Sequence, residues 1–211
     1  MTVDYRSVSD QELWLLAAGQ HTGEAFGELF ERHADRVYTH CFRRTGSWSL
    51  AEDLTSAVFL DAWRRRRDVR FSGDSALPWL LAVANNATRN AQRTLRRHHR
   101  LLAKLPTAEA EPDPAEDAAR RMDTERAVRE VLHALRGLRQ ADQEVLALCD
   151  WAGLTYAEAA GALGIPEGTL RSRLSRARKH LRTAAAGNSA AVSPRESQVA
   201  GRECQVQREG A

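Results

Sequence analysis

Basic side chains near the C-terminal end of the chain have the residue types and spacing needed to bind a polyanion. Between Pro166 and Thr183 the sequence has six Lys or Arg residues and one acid, Glu167. Such cations neutralise phosphates, and an arginine can also donate two hydrogen bonds to one guanine edge in the major groove of DNA. The composition of this segment therefore indicates a nucleic acid as its ligand.

The residues around this segment predict a helix-turn-helix. Thr155 and Glu158 have the spacing of a capping box, which begins a first helix. Gly164 fits the left-handed position that ends this helix, and Pro166 suits the first turn of a second one. A solvated basic face without a ligand is the alternative, but the tight turn and the apolar stripe favour a helix presented to the major groove. The stripe consists of Leu170, Leu174, Ala177 and Leu181.

Charge is unevenly distributed along the 211 residues, although the net charge is only +3. From Arg64 to Lys104 eleven Lys or Arg accompany two acids, whereas from Leu105 to Glu125 two Arg accompany seven acids. This segregation indicates two polyanion-binding surfaces separated by an acidic segment.

Composition also disfavours several classes of protein. No stretch approaches the ~18 apolar residues of a membrane span, and MTVDYRSVSD lacks the pattern of a signal peptide. Cys41, Cys149 and Cys204 form neither a metal-ligand nor a disulfide pattern, so no metal site and no cofactor are predicted. The sequence has no P-loop, HExxH or nucleophile motif. A cytoplasmic protein without catalytic residues is expected.

Hydrophobic periodicity predicts four helices between residues 9 and 100, which are enough for one compact domain. Two capping boxes, Ser9 with Glu12 and Ser49 with Glu52, are expected to begin the first and third helices. Inward-facing stripes are predicted at Phe26, Leu29, Phe30, His33, Val37 and Cys41, at Leu54, Val58, Leu60 and Trp63, and at Trp79, Leu80, Val83 and Ala87.

The rest of the chain is predicted to contain a second, smaller domain. Residues 101–124 are acidic and proline-containing, which is typical of a flexible linker. Residues 125–183 include the helix-turn-helix and are expected to form the second domain. Residues 1–8 and 184–211 are expected to be tails, the latter disordered because it has almost no large apolar residues. The predicted fold is therefore all-α, with two small helical domains.

Three segments together resemble the extracytoplasmic-function group of bacterial RNA polymerase sigma factors. FGELFERHADRVYTHCFRRTGSWSLAEDLTSAVFLDAWRRR is similar to the start of sigma region 2, and PWLLAVANNATRNAQRTLRRHHR to its end. LRGLRQADQEVLALCDWAGLTYAEAAGALGIPEGTLRSRLSRARKHLR is similar to region 4. The resemblance implies a four-helix region 2 at 9–100 and a region 4 at 125–183, and an alternative sigma factor that directs initiation at promoters with −10 and −35 elements.

The resemblance also implies partners. The helix of Ala51 to Trp63 corresponds to the part of region 2 that docks on the clamp helices of the largest polymerase subunit. Those clamp helices and the flap are the implied contacts on core RNA polymerase, and an anti-sigma factor is a further implied partner. The candidate contacts are Glu52, Asp53, Ser56 and Asp61. For Glu52 and Asp53, interaction with the positive N-terminus of their own helix is an alternative role.

By the same resemblance, the loop of Asp68 to Ser75 accepts a flipped base of the −10 element, and the following helix lies along the non-template strand. Amides can bond base edges, arginines bind phosphates, and an aromatic ring can stack on a base. For Phe71, packing on its own domain is the alternative to stacking. The candidate −10 contacts are Phe71, Ser72, Gly73, Asp74, Asn85, Asn86, Arg89, Asn90 and Arg93.

The basic second helix of the helix-turn-helix is expected at the −35 element. Residues in its N-terminal half reach base edges in this geometry, and later ones reach phosphates. The base-edge candidates are Thr169, Arg171, Ser172, Arg173, Ser175 and Arg176, and the phosphate candidates are Arg178 and Lys179.

An alternative function is a helix-turn-helix transcriptional regulator that does not replace the specificity factor of the polymerase. Such a protein would need the C-terminal helices and a sensing or dimerising domain. The AEDL helix beginning at Ala51 and the basic helix after Pro78 favour the sigma factor, because a sensor domain has no use for them.

Overall fold

The computed structural model describes residues 4–19, 22–71, 73–102 and 116–191, and every regular element in these ranges is helical. The predicted all-α fold is confirmed. Two short 3-10 turns lie at Tyr5–Ser7 and Leu135–Gly137, and one π-helical turn lies at Ala147–Trp151. The main helices are α1 (Asp10–Ala18), α2 (Thr22–Thr45), α3 (Trp48–Arg65), α4 (Leu77–Leu102), α5 (Glu116–Ala134), α6 (Gln140–Leu146), α7 (Tyr156–Leu163) and α8 (Glu167–Ala191).

Helix starts follow side-chain caps, though not everywhere as predicted. The capping boxes of Ser9 with Glu12 and of Thr155 with Glu158 are both present. The predicted start of α3 at Ser49 is wrong, because Ser47 is the cap and accepts a hydrogen bond from the Leu50 amide at 3.4 Å. Gly46, with φ of 65°, ends α2 and leaves Ser47 in the extended conformation that a cap requires.

The first four helices pack around a shared apolar core. Leu13 of α1, Val37 of α2 and Leu81 of α4 are completely buried there. The prediction that Phe30 and Leu60 face inward is wrong, since these side chains are 41% and 48% exposed. Leu60 lies two residues after the buried Val58, which is about 200° around a helix of 3.6 residues per turn.

A buried carboxylate joins three of these helices. Asp10, at the start of α1, accepts hydrogen bonds from Arg32 at 2.9 Å and His33 at 2.6 Å, both on α2. It also accepts from the Ser75 hydroxyl at 3.1 Å and the Ala76 amide at 2.9 Å, just before α4. Burial alone raises the pKa of Asp10, but these donors outweigh it and lower the pKa to about 2.

The C-terminal helices form the helix-turn-helix. Gly164 has the predicted left-handed conformation, with φ of 63° and ψ of 36°, between α7 and α8. On α8, Leu170, Leu174 and Ala177 are buried and Leu181 is half-buried, which confirms the predicted stripe. This domain therefore holds the opposite, basic side of α8 towards solvent.

Two helices extend into segments expected to be irregular. α5 begins at Glu116, inside the predicted linker, and lies against the N-terminal domain. There Glu125 accepts from the Trp48 amide at 2.9 Å and Arg129 donates to the Gly46 carbonyl at 3.1 Å. α8 continues to Ala191, so the predicted disorder is wrong for residues 184–191, where alanine favours helix. The rest of that tail and residues 103–115 lie outside the described residues.

We expect Asp10→Asn to destabilise the full chain by about 2–4 kcal/mol at pH 7, because an amide cannot replace an ionised acceptor for all four donors. The folded pKa lies below the ordinary value of 3.8, so ionised Asp10 contributes fully above that value, and its contribution is lost as the pH falls through about 2. Urea unfolding at both ends of this range measures the difference. Asp35→Asn, at an exposed position of α2, is the control, and a wild-type-to-variant gap that stays constant with pH contradicts this role for Asp10.

Candidate nucleic-acid interface

The exposed side of α8 carries the predicted −35 residues. Ser172, Ser175 and Lys179 are exposed, and Thr169 and Arg173 are half-exposed near the start of the helix. The apolar stripe fixes the rotation of α8, so these polar side chains face away from the domain core. The structure thus brings the predicted −35 set together on one helix surface.

Three arginines of this set are held by carboxylates. Arg171 pairs with Glu167 at 3.0 Å within α8, and Arg176 pairs with the buried Asp142 of α6 at 3.2 Å. Arg178 donates two hydrogen bonds to Asp150, at 3.1 and 2.5 Å, and the bonding raises the pKa of this already permanent cation. Each of these arginines would have to leave a carboxylate before it could bind another anion.

Arg173 and Lys179 differ from their neighbours. Among the described residues neither has a carboxylate within ion-pair distance. Their cations are therefore available to DNA without the loss of an existing pair.

Sequence reasoning missed Tyr156, the first residue of α7. Its ring lies 5.7 Å from the guanidinium of Arg171, a cation–π distance. Together the two side chains line an open groove of about 340 Å³ between the start of α7 and α8. The remaining lining residues are Leu174, Ser175, Arg178 and Arg182. In the sequence, Tyr156 could have been identified by its position directly after the Thr155 cap. In helix-turn-helix proteins the first helix crosses the phosphate backbone of DNA.

The loop predicted to accept a −10 base lies between α3 and α4. Phe71 packs edge-to-face on Trp14, with ring centroids 5.3 Å apart, and Trp14 donates to the Val69 carbonyl at 3.2 Å. Gly73 has φ of 98° and open space around it, and Asp74 is exposed. Ser72 lies outside the described residues. The loop is thus anchored on one side by Phe71 and open at Gly73 and Asp74.

The predicted −10 residues of α4 are divided between two environments. Asn86, Asn90 and Arg93 are exposed. Asn85 is 1% exposed, and Arg89 donates two hydrogen bonds to Glu144 of α6, at 2.9 and 2.5 Å. This pairing raises the pKa of Arg89. The C-terminal domain therefore contacts one residue, Arg89, of the surface that the resemblance assigns to the DNA strand, and the Arg89 side chain stays half-exposed.

More contacts join the two domains beside Arg89. Arg36 and Arg43 of α2 donate to the carbonyls of Ala152 and Trp151 at 2.7 and 3.0 Å. Arg44, which is 1% exposed, reaches the Gln143 side-chain oxygen at 3.4 Å. Sequence reasoning missed this whole set of contacts.

Several polar groups in the same place are unsatisfied. Nε and Nη2 of Arg44 are buried without a hydrogen-bond partner among the described residues, and the buried His40 ring and Asn85 amide face each other without reaching full hydrogen-bond geometry. Burial, with the charges of Arg44 and Arg43, lowers the pKa of His40 to about 4, so its ring is neutral near pH 7. Burial also lowers the pKa of Arg44.

The polymerase-contact candidates lie along α3. Glu52, Asp53 and Ser56 are exposed, whereas Asp61 is half-buried and pairs with Arg65 at 3.2 Å. Asp53, Ser56 and the exposed Leu60 follow the spacing of one helix face. Leu60 thus adds an apolar side chain to this surface, and Phe30 of α2, in ring contact with Phe59, adds a second exposed one. Contiguous apolar patches mark protein-binding sites, whereas single exposed apolar residues are common on any surface, so these two side chains extend the candidate surface without identifying a partner.

Other kinds of site are not found in the described part of the chain. No group of His, Cys, Asp and Glu there could hold a metal ion. Likewise, none of the described helices has the length and apolar character required to cross a membrane.

Comparison with known proteins covers both domains. Residues 29–100 match the family described as Sigma-70 region 2, and residues 128–181 match Sigma-70, region 4. RNA polymerase sigma factor CarQ of Myxococcus xanthus is 33% identical over 162 residues, which are 75% of this chain and 88% of CarQ. ECF RNA polymerase sigma factor SigK of Mycobacterium bovis is 28% identical over 184 residues, which are 86% of this chain and 97% of SigK.

A solved structure shares the fold. It contains the sigma factor RpoE in complex with the anti-sigma factor NepR from Bartonella quintana. The match has a TM-score of 0.55 at 21% identity and covers 75% of this chain and 95% of that chain.

Proposed function

The chain belongs to the extracytoplasmic-function group of RNA polymerase sigma factors. From this premise we propose which of its surfaces bind the polymerase and which bind the two promoter elements. α3 binds core RNA polymerase, α8 reads the −35 element, and α4 with the loop before it binds the −10 element. One observation carries this assignment: two separate domains each present a basic helix, and each domain matches its own sigma region.

Sigma factors act by binding rather than by chemistry, so the residues that matter here are contact residues. Because core polymerase is a cytoplasmic enzyme in bacteria, we place the action of this chain in the cytoplasm. No step of the proposed function needs a cofactor or a metal ion.

At the −35 element, α8 supplies both kinds of contact that duplex recognition needs. Arg173, free of a carboxylate among the described residues and close to the helix start, is placed to read a base edge. Lys179 and Arg178, further along, are placed to bind phosphates, which adds affinity without sequence preference. Tyr156 and Arg171 line a groove that a DNA backbone can follow.

At the −10 element, the exposed amides of Asn86 and Asn90 are the base-edge donors and acceptors of α4, and Arg93 is its exposed cation. Gly73 is exposed, with no atom within 4 Å of the position of an added Cβ, and this open backbone is the proposed entry point for an extruded base. Phe71 is engaged with Trp14, which supports an anchoring role for this ring rather than stacking on a base.

Docking on the polymerase uses the exposed face of α3. Leu60 and Phe30 supply the apolar contact, and Asp53 supplies a negative charge at the edge of this docking surface. An anti-sigma factor is a second proposed partner, since the related RpoE forms a complex with NepR.

The decisive experiment adds the purified chain to sigma-free core RNA polymerase and measures promoter-specific initiation on genomic DNA fragments. A sigma factor forms a stable complex with core and starts transcripts at defined positions. The alternative, a helix-turn-helix regulator, requires the resident sigma factor to be present, so failure to form a complex with core favours that alternative.

For the −35 assignment, we expect Arg173→Ala to weaken holoenzyme binding to its promoter by about 10- to 100-fold, the worth of one arginine–base contact. Binding to core polymerase, measured by fluorescence polarisation, is expected to stay unchanged. Arg139→Ala removes an exposed arginine of the same domain that makes no side-chain capping bond, and it should bind the promoter like wild type. Loss of core binding in Arg173→Ala would instead place that residue at the polymerase.

For the docking surface, we expect Leu60→Asp to lower affinity for core polymerase at least tenfold, because a carboxylate placed at an apolar contact must be desolvated. The side chain is exposed in the free chain, so thermal stability should change little. Leu95→Asp, which changes an exposed leucine of α4, is the matched control. Equal core binding by the two variants rules out this face of α3 as the docking surface.

A further inference from the structure

The first helix, α1, is bonded along one side to the loop that the proposed function places at the −10 element. This −10 loop runs from Asp68 to Ser75, between α3 and α4, and no candidate −10 contact belongs to α1. Asp10, Trp14 and Ala17 of α1 each hold a different part of the chain around the loop. Their spacing of four and then three residues puts them on one face of the helix.

The start of the loop is fixed at the C-terminal end of α1 by Arg66. Its Nε donates to the Ala17 carbonyl at 3.0 Å, and a terminal nitrogen donates to the Trp63 carbonyl at 2.6 Å. Both carbonyls lie at the end of a helix, where they lack an amide partner four residues later in the same helix. The guanidinium also lies 3.7 Å from the centre of the Trp63 ring. Arg66 therefore joins the ends of α1 and α3 where the loop begins.

The middle of the loop packs on Trp14. The indole Nε1 donates to the Val69 carbonyl at 3.2 Å, and the indole ring meets Phe71 edge-to-face with centroids 5.3 Å apart. The same ring contacts Trp79 of α4, with centroids 5.2 Å apart. Trp14 is 2% exposed, so the indole reaches the loop from inside the core. One side chain of α1 thus fixes both the backbone and the aromatic ring of this part of the loop.

The end of the loop is fixed at the N-terminal end of α1 by Asp10. The Asp10 carboxylate accepts from the Ser75 hydroxyl at 3.1 Å and from the Ala76 amide at 2.9 Å. The Ser75 hydroxyl in turn accepts from the amide of Leu77, the first residue of α4, at 3.2 Å. The loop therefore runs antiparallel to α1, from Ala17 at its start to Asp10 at its end.

These attachments hold the loop well short of its possible length. Arg66 and Ala76 are ten residues apart, and ten residues of chain can extend to about 33 Å. Asp10 and Ala17 are seven residues apart in a helix, or about 10 Å along its axis. The loop is therefore folded against α1 rather than extended, with Gly73 exposed between the attached parts.

We propose that α1 is a positioning element for −10 recognition, in which Asp10, Trp14 and Ala17 hold the loop in the conformation that receives the flipped base. This inference rests on the proposed function of the loop. A loop that is ordered before DNA binds loses little conformational freedom on binding, so it binds the preferred base more tightly. A promoter with a mismatched −10 base is held mainly by α8 and by phosphate contacts, and it gains nothing from the ordered loop. α1 therefore contributes to base selectivity through the loop.

The test uses two full-length variants that weaken the attachments. Trp14→Phe keeps an aromatic ring but loses the donor to Val69, and Arg66→Ala removes the bond to Ala17 from a half-buried position. In both free chains we expect faster hydrogen exchange at the amides of residues 66–76, measured by mass spectrometry, and unchanged exchange in α8.

The matched controls make the same chemical changes away from the attachments. Trp48→Phe replaces an indole that stacks on Phe42 at the opposite end of α3 from the loop. Arg67→Ala removes an exposed cation directly next to Arg66. Neither control should change hydrogen exchange in the loop or the base selectivity of the holoenzyme.

Base selectivity is measured with holoenzyme on a promoter found by the initiation assay and on versions of it with every other base at the −10 positions. For Trp14→Phe and Arg66→Ala we expect the ratio of initiation on preferred and mismatched promoters to fall about tenfold, as when one molecule in ten holds the competent loop. A purely structural defect lowers the amount of active holoenzyme for every promoter alike, so it leaves this ratio unchanged.

Two results overturn the inference. The first is a wild-type ratio in variants whose loop exchanges faster, and the second is unchanged exchange at residues 66–76 in both variants. Where Trp14→Phe does not fold, Arg66→Ala alone decides, because its side chain is half-buried at the surface.

Asp74→Ala separates this inference from the proposed function, because Asp74 is exposed and is a candidate −10 contact. If Asp74→Ala lowers the ratio and the two positioning variants do not, the loop reads the −10 element and α1 does not position it. If the positioning variants lower the ratio and Asp74→Ala does not, other loop residues read the base and the inference stands. If none of the three lowers the ratio, the proposed function of the loop fails together with the inference.

Discussion

The permanent charge of arginine is the constraint on which most of this structure depends. A guanidinium does not lose its proton in a protein, so an arginine near the core is costly without an acceptor, and Arg44, buried with one bond to Gln143, carries that cost. Three arginines form ion pairs with buried acids, measured from guanidinium nitrogen to carboxylate oxygen: Arg32 with Asp10 at 2.9 Å, Arg176 with Asp142 at 3.2 Å and Arg89 with Glu144 at 2.5 Å. The acids that receive these bonds are themselves 3–5% exposed, so each pair fixes the position of two elements. The packing of the helices and the positions of these three arginines therefore depend on each other.

The same constraint explains how a DNA-binding chain remains folded without DNA. Five of its eight candidate −35 residues are cations, and cations clustered on one helix repel each other unless counter-charges lie close by. Glu167, Asp142 and Asp150 supply those counter-charges around α8. In the proposed function, binding to DNA exchanges a carboxylate for a phosphate at each paired arginine, which lowers the net gain from that arginine and increases the relative importance of Arg173 and Lys179.

The sequence predicts local structure well where a single helix turn determines it, with the start of α3 as the exception, because Ser47 and not Ser49 is its cap. The capping boxes at Ser9 and Thr155 and the left-handed Gly164 follow from side-chain chemistry within four residues, and the structure has all three. Periodicity predicts Phe30 and Leu60 to face inward although both are exposed, because it shows which residues are apolar and not which helix faces have a neighbour. The pairing of Arg89 with Glu144, 55 residues apart in sequence, depends on how two domains meet, and no spacing rule encodes that. The polymerase and promoter assignments came from the resemblance to a family, since acids on a helix surface do not identify a partner by themselves.

The location of the exposed apolar side chains keeps the proposed docking surface apart from the contact between the domains. Phe30 and Leu60 lie on the N-terminal domain and are exposed while Arg89 bonds Glu144 of the C-terminal domain. The contact between the domains therefore leaves this face of α3 open to a protein partner. Arg89 itself is half-exposed, so an anion that reached it would compete with the Glu144 carboxylate for the same guanidinium.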